Sequence, residues 1–228
     1  MAHAFKVKDQ KDGKQCICFV TVSPTLRKKL AEKYEEVVEL EEVALPPIKF
    51  FSLRELLSEL VQYTRLGLDL SPPRDRSMSE CSFLEYINDL SKKSHLGIAV
   101  DVKEAENEIC GVILGSLSAA KAGRHLTRDE YICERSYIKK DTDAGMKKRH
   151  EIYNVFEKYK KWKQANEKFD LSDAVLELIK KLRGGRNGAW NQLFISVYLD
   201  EIQDFSYASI YLICHIAGYN NLHWVMAG

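Results

Sequence analysis

The sequence lacks the patterns that mark several classes of protein. None of its six cysteines forms a CxxC pair, so a zinc site or a disulfide framework is not indicated, and a reducing, intracellular compartment is expected. No uninterrupted apolar segment is long enough to span a bilayer, and the N-terminal residues are polar, which argues against a membrane protein and a signal peptide. The 34 Lys and Arg balance 33 Asp and Glu, so overall charge does not indicate nucleic-acid or membrane binding.

What remains is the composition of a protein with a core. The chain has 228 residues, of which 45% are hydrophobic and 29% charged, enough for one or two domains. Cys16 and Cys18 lie within an apolar run, where thiols pack more often than they bind metal. We therefore expect both cysteines in the core.

The first part of the chain contains two strand-to-helix units. Residues 15–22 are apolar on both faces, which is typical of a strand covered on both sides. Residues 23–40 follow with helical spacing, and Ser23 or Thr25 could cap that helix. Residues 48–63 repeat the arrangement in shorter form. Both units predict strands of a parallel sheet.

The middle of the chain has a different character. Residues 68–80 are rich in serine, proline and charge, which predicts a linker or a domain boundary. From residue 83 to residue 168 the patterns are mostly helical, with one candidate strand at 96–102. This part is expected to form a mostly helical domain.

Strand and helix signals return at the end. A strand is predicted at 193–199, a helix at 206–218 with Gly218 as its C-terminal cap, and a last strand at 222–228. Strand and helix alternation on both sides of a helical middle predicts an α/β fold with a parallel sheet that is interrupted by an inserted, mostly helical domain.

Four polar residues follow the strand predicted at 193–199: Asp200, Glu201, Gln203 and Asp204. Ligands of open parallel sheets collect at the carboxyl ends of the strands. In a nucleotide hydrolase, a strand-end aspartate holds Mg²⁺ through water and the next acid orients the attacking water. Two alternatives stay open here. The acids could be solvated charges of a turn, or Asp200, Glu201 and Asp204 could bind metal in an unrelated phosphohydrolase or nuclease.

The segment "VYLDEIQDFS" resembles motif II, the Walker B element, of superfamily 1 helicases of the UvrD/Rep type. "CFVTVSPTLRKKL" resembles motif Ia of that family, and "LHWVMAG" resembles the strand that leads into motif III. The middle of the chain resembles the divergent UvrD-like domain of large proteins with tetratricopeptide and ankyrin repeats. The resemblance implies an incomplete RecA-like sheet of the P-loop NTPase class.

The resemblance also implies roles for individual residues. Asp200 would associate with Mg²⁺ through water, Glu201 would be the general base, and both would lie at bound ATP. Gln203 would couple the nucleotide state to neighbouring motifs. Thr21 and Ser23 would contact single-stranded nucleic acid.

A plainer interpretation exists for the hydroxyl residues. Thr21, Ser23 and Ser52, the last a weaker candidate for nucleic-acid contact, each precede a predicted helix. Side chains of this kind cap helices, and capping is the favoured interpretation for all three.

The chain departs from the family pattern at its ends. It contains no GxxxxGK[ST] sequence, and residues 12–16 lack the first glycine and the hydroxyl residue of that loop. We therefore expect a fragment between Walker A and motif III, with motor-domain segments at 1–75 and 169–228 and the helical insertion at 76–168. The expected parent is an ATP-dependent nucleic-acid motor that uses ATP and Mg²⁺, and the isolated chain is expected to be inactive. The alternative is a non-enzymatic helicase-like scaffold or nucleotide switch.

A basic helix is predicted at 146–168, with Ile152, Phe156, Tyr159 and Trp162 at helical spacing. Aromatic side chains among lysines could bind nucleic acid. The favoured interpretation is a buried apolar face with solvated lysines on the other side.

Overall fold

The computed structural model describes residues 16–41, 47–64, 68–69, 78–93, 100–184, 194, 196–217 and 222–224. The chain divides into two compact units. The first consists of residues 1–66, 181–205 and 210–228, and the second of residues 67–180 and 206–209. Within the described residues, no helix combines the length and the apolar character needed to cross a membrane.

The first unit contains a four-stranded sheet. Its strands are β1 (Ile17–Thr21), β2 (Ile48–Ser52), β6 (Ser196–Leu199) and β7 (Leu222–Trp224), in the order β2-β1-β6-β7. All three pairings are parallel. The prediction of an α/β protein with a parallel sheet is therefore confirmed. For the last predicted strand, residues 225–228 lie outside the described residues, as does the predicted cap Gly218.

Helices follow the strands of this sheet as predicted. The helix α1 (Pro24–Glu41) comes after β1, α2 (Leu53–Thr64) after β2, and α9 (Tyr207–Ala217) after β6. The Tyr34 ring lies 5.7 Å from the Phe50 ring, which joins α1 to β2. Cys16 and Cys18 are buried free thiols, as expected.

The second unit is mostly helical. Its helices are α3 (Phe83–Lys93), α4 (Val102–Glu108), α5 (Leu117–Ala122), α6 (Arg128–Cys133) and α7 (Asp143–Ala165), with most of α8 (Leu171–Gly184). A π-helical turn, Ile109–Ile113, continues α4. The candidate strand at 96–102 is wrong in its described part, because Asp101 caps α4 and Val102 begins it.

Residues 68–80 are predicted to be a linker or a domain boundary. The linker is wrong at both ends of this segment, whereas a boundary between the two units does fall just before it, between residues 66 and 67. Leu68–Asp69 forms β3 and Met78–Glu80 forms β4, and they make a parallel sheet with β5 (Lys168–Phe169) in the order β3-β4-β5. Strands of two or three residues are too short to show an alternation of apolar and polar residues. Their pairing partners, distant in the chain, decide the structure of these residues.

A buried ion cluster joins α7 to α8. The Lys163 ammonium lies 2.7 Å from Asp170 Oδ2 and also contacts the Asp173 carboxylate. The Tyr159 hydroxyl donates to Asp170 Oδ2 over 3.0 Å. Lys163 and Asp170 are 4% and 6% exposed, so each charge is compensated where water cannot do so.

The apolar stripe of α7 is buried as favoured by the sequence. Ile152, Phe156 and Tyr159 lie in the core, while Trp162 is half-buried. The view of the lysines as a solvated face is wrong for Lys163, which is buried. Charge and spacing could not show this, because the partner carboxylates come from the next helix.

Candidate functional site at the carboxyl edge of the sheet

Asp200 directly follows β6 and lies at the carboxyl edge of the first unit's sheet. Its backbone N–H donates to the carbonyl of Val20 over 3.0 Å, which continues the ladder between β1 and β6. The side chain is 5% exposed, and its Oδ2 is a buried oxygen without a hydrogen-bond partner among the described residues. A buried carboxylate oxygen without a donor is costly.

Glu201 adopts an unusual backbone conformation. Its φ is 54° and its ψ is 46°, in the left-handed region that favours glycine. A strained backbone of this kind in a residue with a side chain is common at functional sites. The conformation turns the chain sharply after Asp200 and leads into a short 3-10 helix, Ile202–Asp204.

Gln203 and Asp204 are both exposed, but they differ in their contacts. The Gln203 amide nitrogen donates to Glu201 Oε2. The Asp204 backbone N–H donates to the Glu201 carbonyl over 2.9 Å, and that contact closes the turn. The structure thus brings Gln203 to the Glu201 carboxylate.

Thr21 and Ser23 follow β1, the strand next to β6. Thr21 is fully buried, and its Oγ1 accepts the Ser23 backbone N–H over 3.1 Å. Ser23 is half-buried, and its Oγ accepts the Leu26 N–H over 3.2 Å, so it caps α1. The favoured interpretation as a helix cap is confirmed for Ser23 and is wrong for Thr21, whose Oγ1 accepts the N–H of Ser23, a residue that precedes α1.

A second network at this edge confirms the helix cap favoured at Ser52 and adds Glu55 and Arg27, which sequence reasoning missed. Ser52 ends β2 and caps α2: its Oγ accepts the Glu55 N–H, and Glu55 Oε2 accepts the Ser52 N–H over 2.8 Å. Glu55 Oε1 also accepts Arg27 Nη2 over 2.6 Å. The reciprocal Ser52–Glu55 contacts form a capping box, whose Ser-x-x-Glu spacing was visible in the sequence. The Arg27 partner was not, since it comes from α1.

The geometry at Asp200 fits a hydrated divalent cation. The unpartnered Oδ2 can accept a hydrogen bond from a metal-bound water, which removes the cost of its burial. The alternative of a three-carboxylate metal site is not supported. Across the described ranges, no three side chains of His, Cys, Asp or Glu are grouped so that they could hold a metal ion together.

Comparison with known families agrees with this arrangement. A family model described as UvrD/REP helicase N-terminal domain matches residues 3–228. No curated protein matches the chain at a significant level. The family match covers nearly the whole chain, including the residues that follow β1 and β6 at the carboxyl edge of the sheet. The finer similarity to the repeat-protein type and the position of the chain between two motifs remain predictions.

Proposed function

We propose, since the chain belongs to the family of UvrD/REP helicase N-terminal domains, that it forms part of an ATP-hydrolysing motor that acts on nucleic acid. The observation that carries the proposal is the buried Asp200 Oδ2 at the end of a parallel strand, which has no hydrogen-bond partner among the residues that the structure describes. An acid in this position, with a second acid next to it, is what nucleotide hydrolysis requires.

Asp200 is the residue proposed to hold Mg²⁺ through water at bound ATP. When bound, Mg²⁺ supplies positive charge that neutralises the phosphates. Asp200 is rigid, because its backbone N–H is tied to Val20. A rigid, buried acceptor costs little reorganisation when the hydrated ion arrives.

Glu201 is proposed as the general base that takes a proton from the attacking water. It is half-buried, so its carboxylate is accessible to water and to nucleotide. Gln203 donates to Glu201 Oε2 and thereby orients the carboxylate. A displacement of Gln203 would change that orientation, which supports the proposal that Gln203 couples the nucleotide state to its surroundings.

Ser23 and Thr21 are proposed to serve the contact with single-stranded nucleic acid in different ways. The Ser23 Oγ accepts the N–H of Leu26 in the first turn of α1, and its hydroxyl proton can still be donated to a ligand. Thr21 is fully buried, so its proposed role is to hold the Ser23 backbone in place.

The helical middle is proposed to be an insertion in the motor domain, with segments at 1–75, 76–168 and 169–228. Its support is the order of the units along the chain, which leaves the first unit at residue 66 and returns to it at residue 181. The isolated chain is proposed to be inactive, because its sequence contains no GxxxxGK[ST] loop to hold the phosphates.

The test is ATP hydrolysis in the presence of single-stranded DNA, measured on the protein encoded by the complete transcript. Glu201→Gln should lower kcat by about 10²- to 10⁴-fold, the usual contribution of a general base. Binding of ATP should be unchanged, because the amide keeps the shape of the carboxylate.

Glu167→Gln is the matched control. Glu167 is also a glutamate at positive φ, 52°, but it lies in the second unit, in the turn between α7 and β5. Its substitution should leave kcat unchanged. Equal turnover in the wild type and the Glu201→Gln variant would contradict the catalytic role. ATP binding without turnover in the wild type would favour a nucleotide switch instead.

A further inference from the structure

The loop at 134–142, between α6 and α7, presents an almost fully exposed aromatic side chain. Tyr137 is 97% exposed, more than any other large hydrophobic residue that the structure describes as exposed. A single exposed apolar side chain is common on protein surfaces and does not by itself mark a site. The construction of the loop around Tyr137 is what makes it unusual.

A buried arginine fixes the backbone on both sides of Tyr137. Arg149 of α7 is 1% exposed. Its guanidinium donates five hydrogen bonds to four backbone carbonyls. Nε and Nη2 donate to the Ile138 carbonyl over 3.0 and 2.8 Å, and Nη1 donates to the carbonyls of Tyr131, Ile132 and Glu134 over 2.8, 3.0 and 2.9 Å. One cation thus holds the loop before and after the exposed ring.

The two neighbours of Tyr137 are anchored as well. The Ser136 hydroxyl donates to Oε1 of the buried Glu108 over 2.6 Å and accepts the Ile138 N–H over 3.0 Å. The Ile138 side chain is 8% exposed. Because both neighbours are fixed inward, the Tyr137 ring is held outward. A partner that binds it pays little for ordering the loop.

The next outward residues on either side of Tyr137 are basic. Arg135 and Lys139 are both exposed, and neither forms an ion pair within the part of the chain that the structure describes. Alternate residues of the loop therefore present a cation, an aromatic ring and a cation. The two acids that follow, Asp141 and Asp143, are matched in number by Lys140 and Lys147.

We infer that this loop binds single-stranded nucleic acid, with an unpaired base stacked on Tyr137 and the adjoining phosphates neutralised by Arg135 and Lys139. Aromatic rings stack on bases of any sequence, and flanking cations supply the salt-dependent part of the affinity. The inference rests on the proposed nucleic-acid function, but it concerns the second unit and needs neither ATP nor the edge that carries Ser23. An acidic protein would meet the same cations without a need for the ring.

The experiment is a fluorescence anisotropy titration of the 228-residue chain with labelled oligothymidylate and, in parallel, oligouridylate. Tyr137→Ala should weaken binding by about 5- to 140-fold, the range for loss of one stacked base. Tyr137→Phe should bind like the wild type because the ring is kept. The oligomer that shows the loss identifies DNA or RNA as the ligand.

The charges have a separate readout. Arg135→Gln combined with Lys139→Gln should reduce the slope of log K against log salt by about 1.4, because each phosphate contact on a single strand contributes about 0.7. The thermal midpoint of Tyr137→Ala should equal that of the wild type, since the lost ring is exposed. A change in that midpoint would indicate a structural role and would overturn the inference.

Tyr207→Ala is the matched control for the ring. Tyr207 is also an exposed tyrosine, at 67%, but the residues two positions away on either side are Phe205 and Ser209 rather than cations. It should not affect oligomer binding. Wild-type affinity in Tyr137→Ala would overturn the stacking, and a loss in the charge variant alone would point to an acidic protein or to unspecific attraction. Absence of oligomer binding by the wild type would overturn the inference while leaving the ATPase proposal to its own test.

Discussion

The two units treat a buried carboxylate in opposite ways. In the second unit, Asp170 accepts from Lys163 and from Tyr159, so its charge is compensated within the fold. In the first unit, Asp200 is equally buried, yet none of the described residues donates a hydrogen bond to its Oδ2. We conclude that the compensated Asp170 carboxylate serves stability, while the Asp200 carboxylate is available to a ligand.

Substitutions test this contrast between the two carboxylates. The largest effect on the free energy of unfolding is expected at Lys163. Lys163→Met leaves the Asp170 and Asp173 charges buried without their cation, and should lower the free energy of unfolding by about 3–5 kcal/mol. Asp200→Asn loses no hydrogen bond at Oδ2 and should change it by about 1 kcal/mol or less. Urea unfolding followed by circular dichroism measures both.

Lys161→Met serves as the control for the first substitution, because Lys161 is exposed on the same helix. It should leave stability within about 0.5 kcal/mol of the wild type. If Asp200→Asn proved as destabilising as Lys163→Met, Asp200 would be a structural residue and the contrast between the units would fail.

A smaller effect is expected at the two positive-φ glutamates, one in each unit. Glu167→Gly removes the strain of a left-handed residue and should raise the free energy of unfolding by about 0.5–1 kcal/mol, after allowance for the flexibility of glycine in the unfolded chain. Glu201→Gly should stabilise by a similar amount but abolish ATP turnover. Thermal unfolding of both variants, and ATP hydrolysis by the protein of the complete transcript with each substitution, compare the two sites.

Together, the Glu167→Gly and Glu201→Gly variants separate backbone strain from catalytic function. Stabilisation with retained activity at Glu167 would mark its strain as incidental to the turn. A Glu201→Gly variant that loses stability would instead show that the Gln203 contact with the Glu201 carboxylate supports the fold, which would weaken the case for a catalytic residue.

The smallest effect concerns pH and His125 of the second unit. Burial, followed by the cations Lys160 and Arg124, lowers the pKa of His125 from its ordinary value of 6.5, although the Glu130 carboxylate opposes them. The folded state therefore binds a proton less readily than the unfolded state, so stability is complete above pH 6.5 and falls as the pH drops below it.

His125→Gln should flatten the dependence of the unfolding free energy on pH in this window. The Lys160 ammonium, which lies 3.2 Å from His125 Nε2, can donate to the glutamine oxygen, so the fold should be retained. His150, exposed on α7, provides the control, and its substitution by glutamine should leave the dependence unchanged. An unchanged slope in His125→Gln would assign the titration to other groups.

Much of the first unit could be predicted because its signals are local. The apolar run that became β1, the helical spacing of α1 and the cap at Ser23 are each contained within a few neighbouring residues. The acids at 200 and 201 could be placed at a sheet edge, because they directly follow an apolar strand. The family match supports the UvrD/REP helicase N-terminal domain over residues 3–228, while the assignment of motif II to these acids stays a prediction.

The wrong predictions concern residues whose structure depends on contacts with other elements. The sequence predicts a linker at β3 and β4 because strands of two or three residues carry no periodicity, and β5, which pairs with β4, lies about 90 residues away in sequence. Helical spacing predicts a solvated Lys163, because the spacing within α7 does not show the contacts with Asp170, just before α8, and with Asp173 in its first turn. In both cases the deciding contact joins different secondary-structure elements, so the periodicity within one element cannot show it.

By itself, the sequence determined the α/β class, the helices that follow β1, β2 and β6, and the identity of the acids after β6, because hydrophobic spacing and capping act over one or two turns of chain. Only the tertiary structure decided which charges are compensated, since a partner for Asp170, Glu108 or Arg149 comes from a different segment. It also decided that Glu201 adopts positive φ and that Tyr137 is held outward. Those features depend on hydrogen bonds and packing that exist only once distant segments have met.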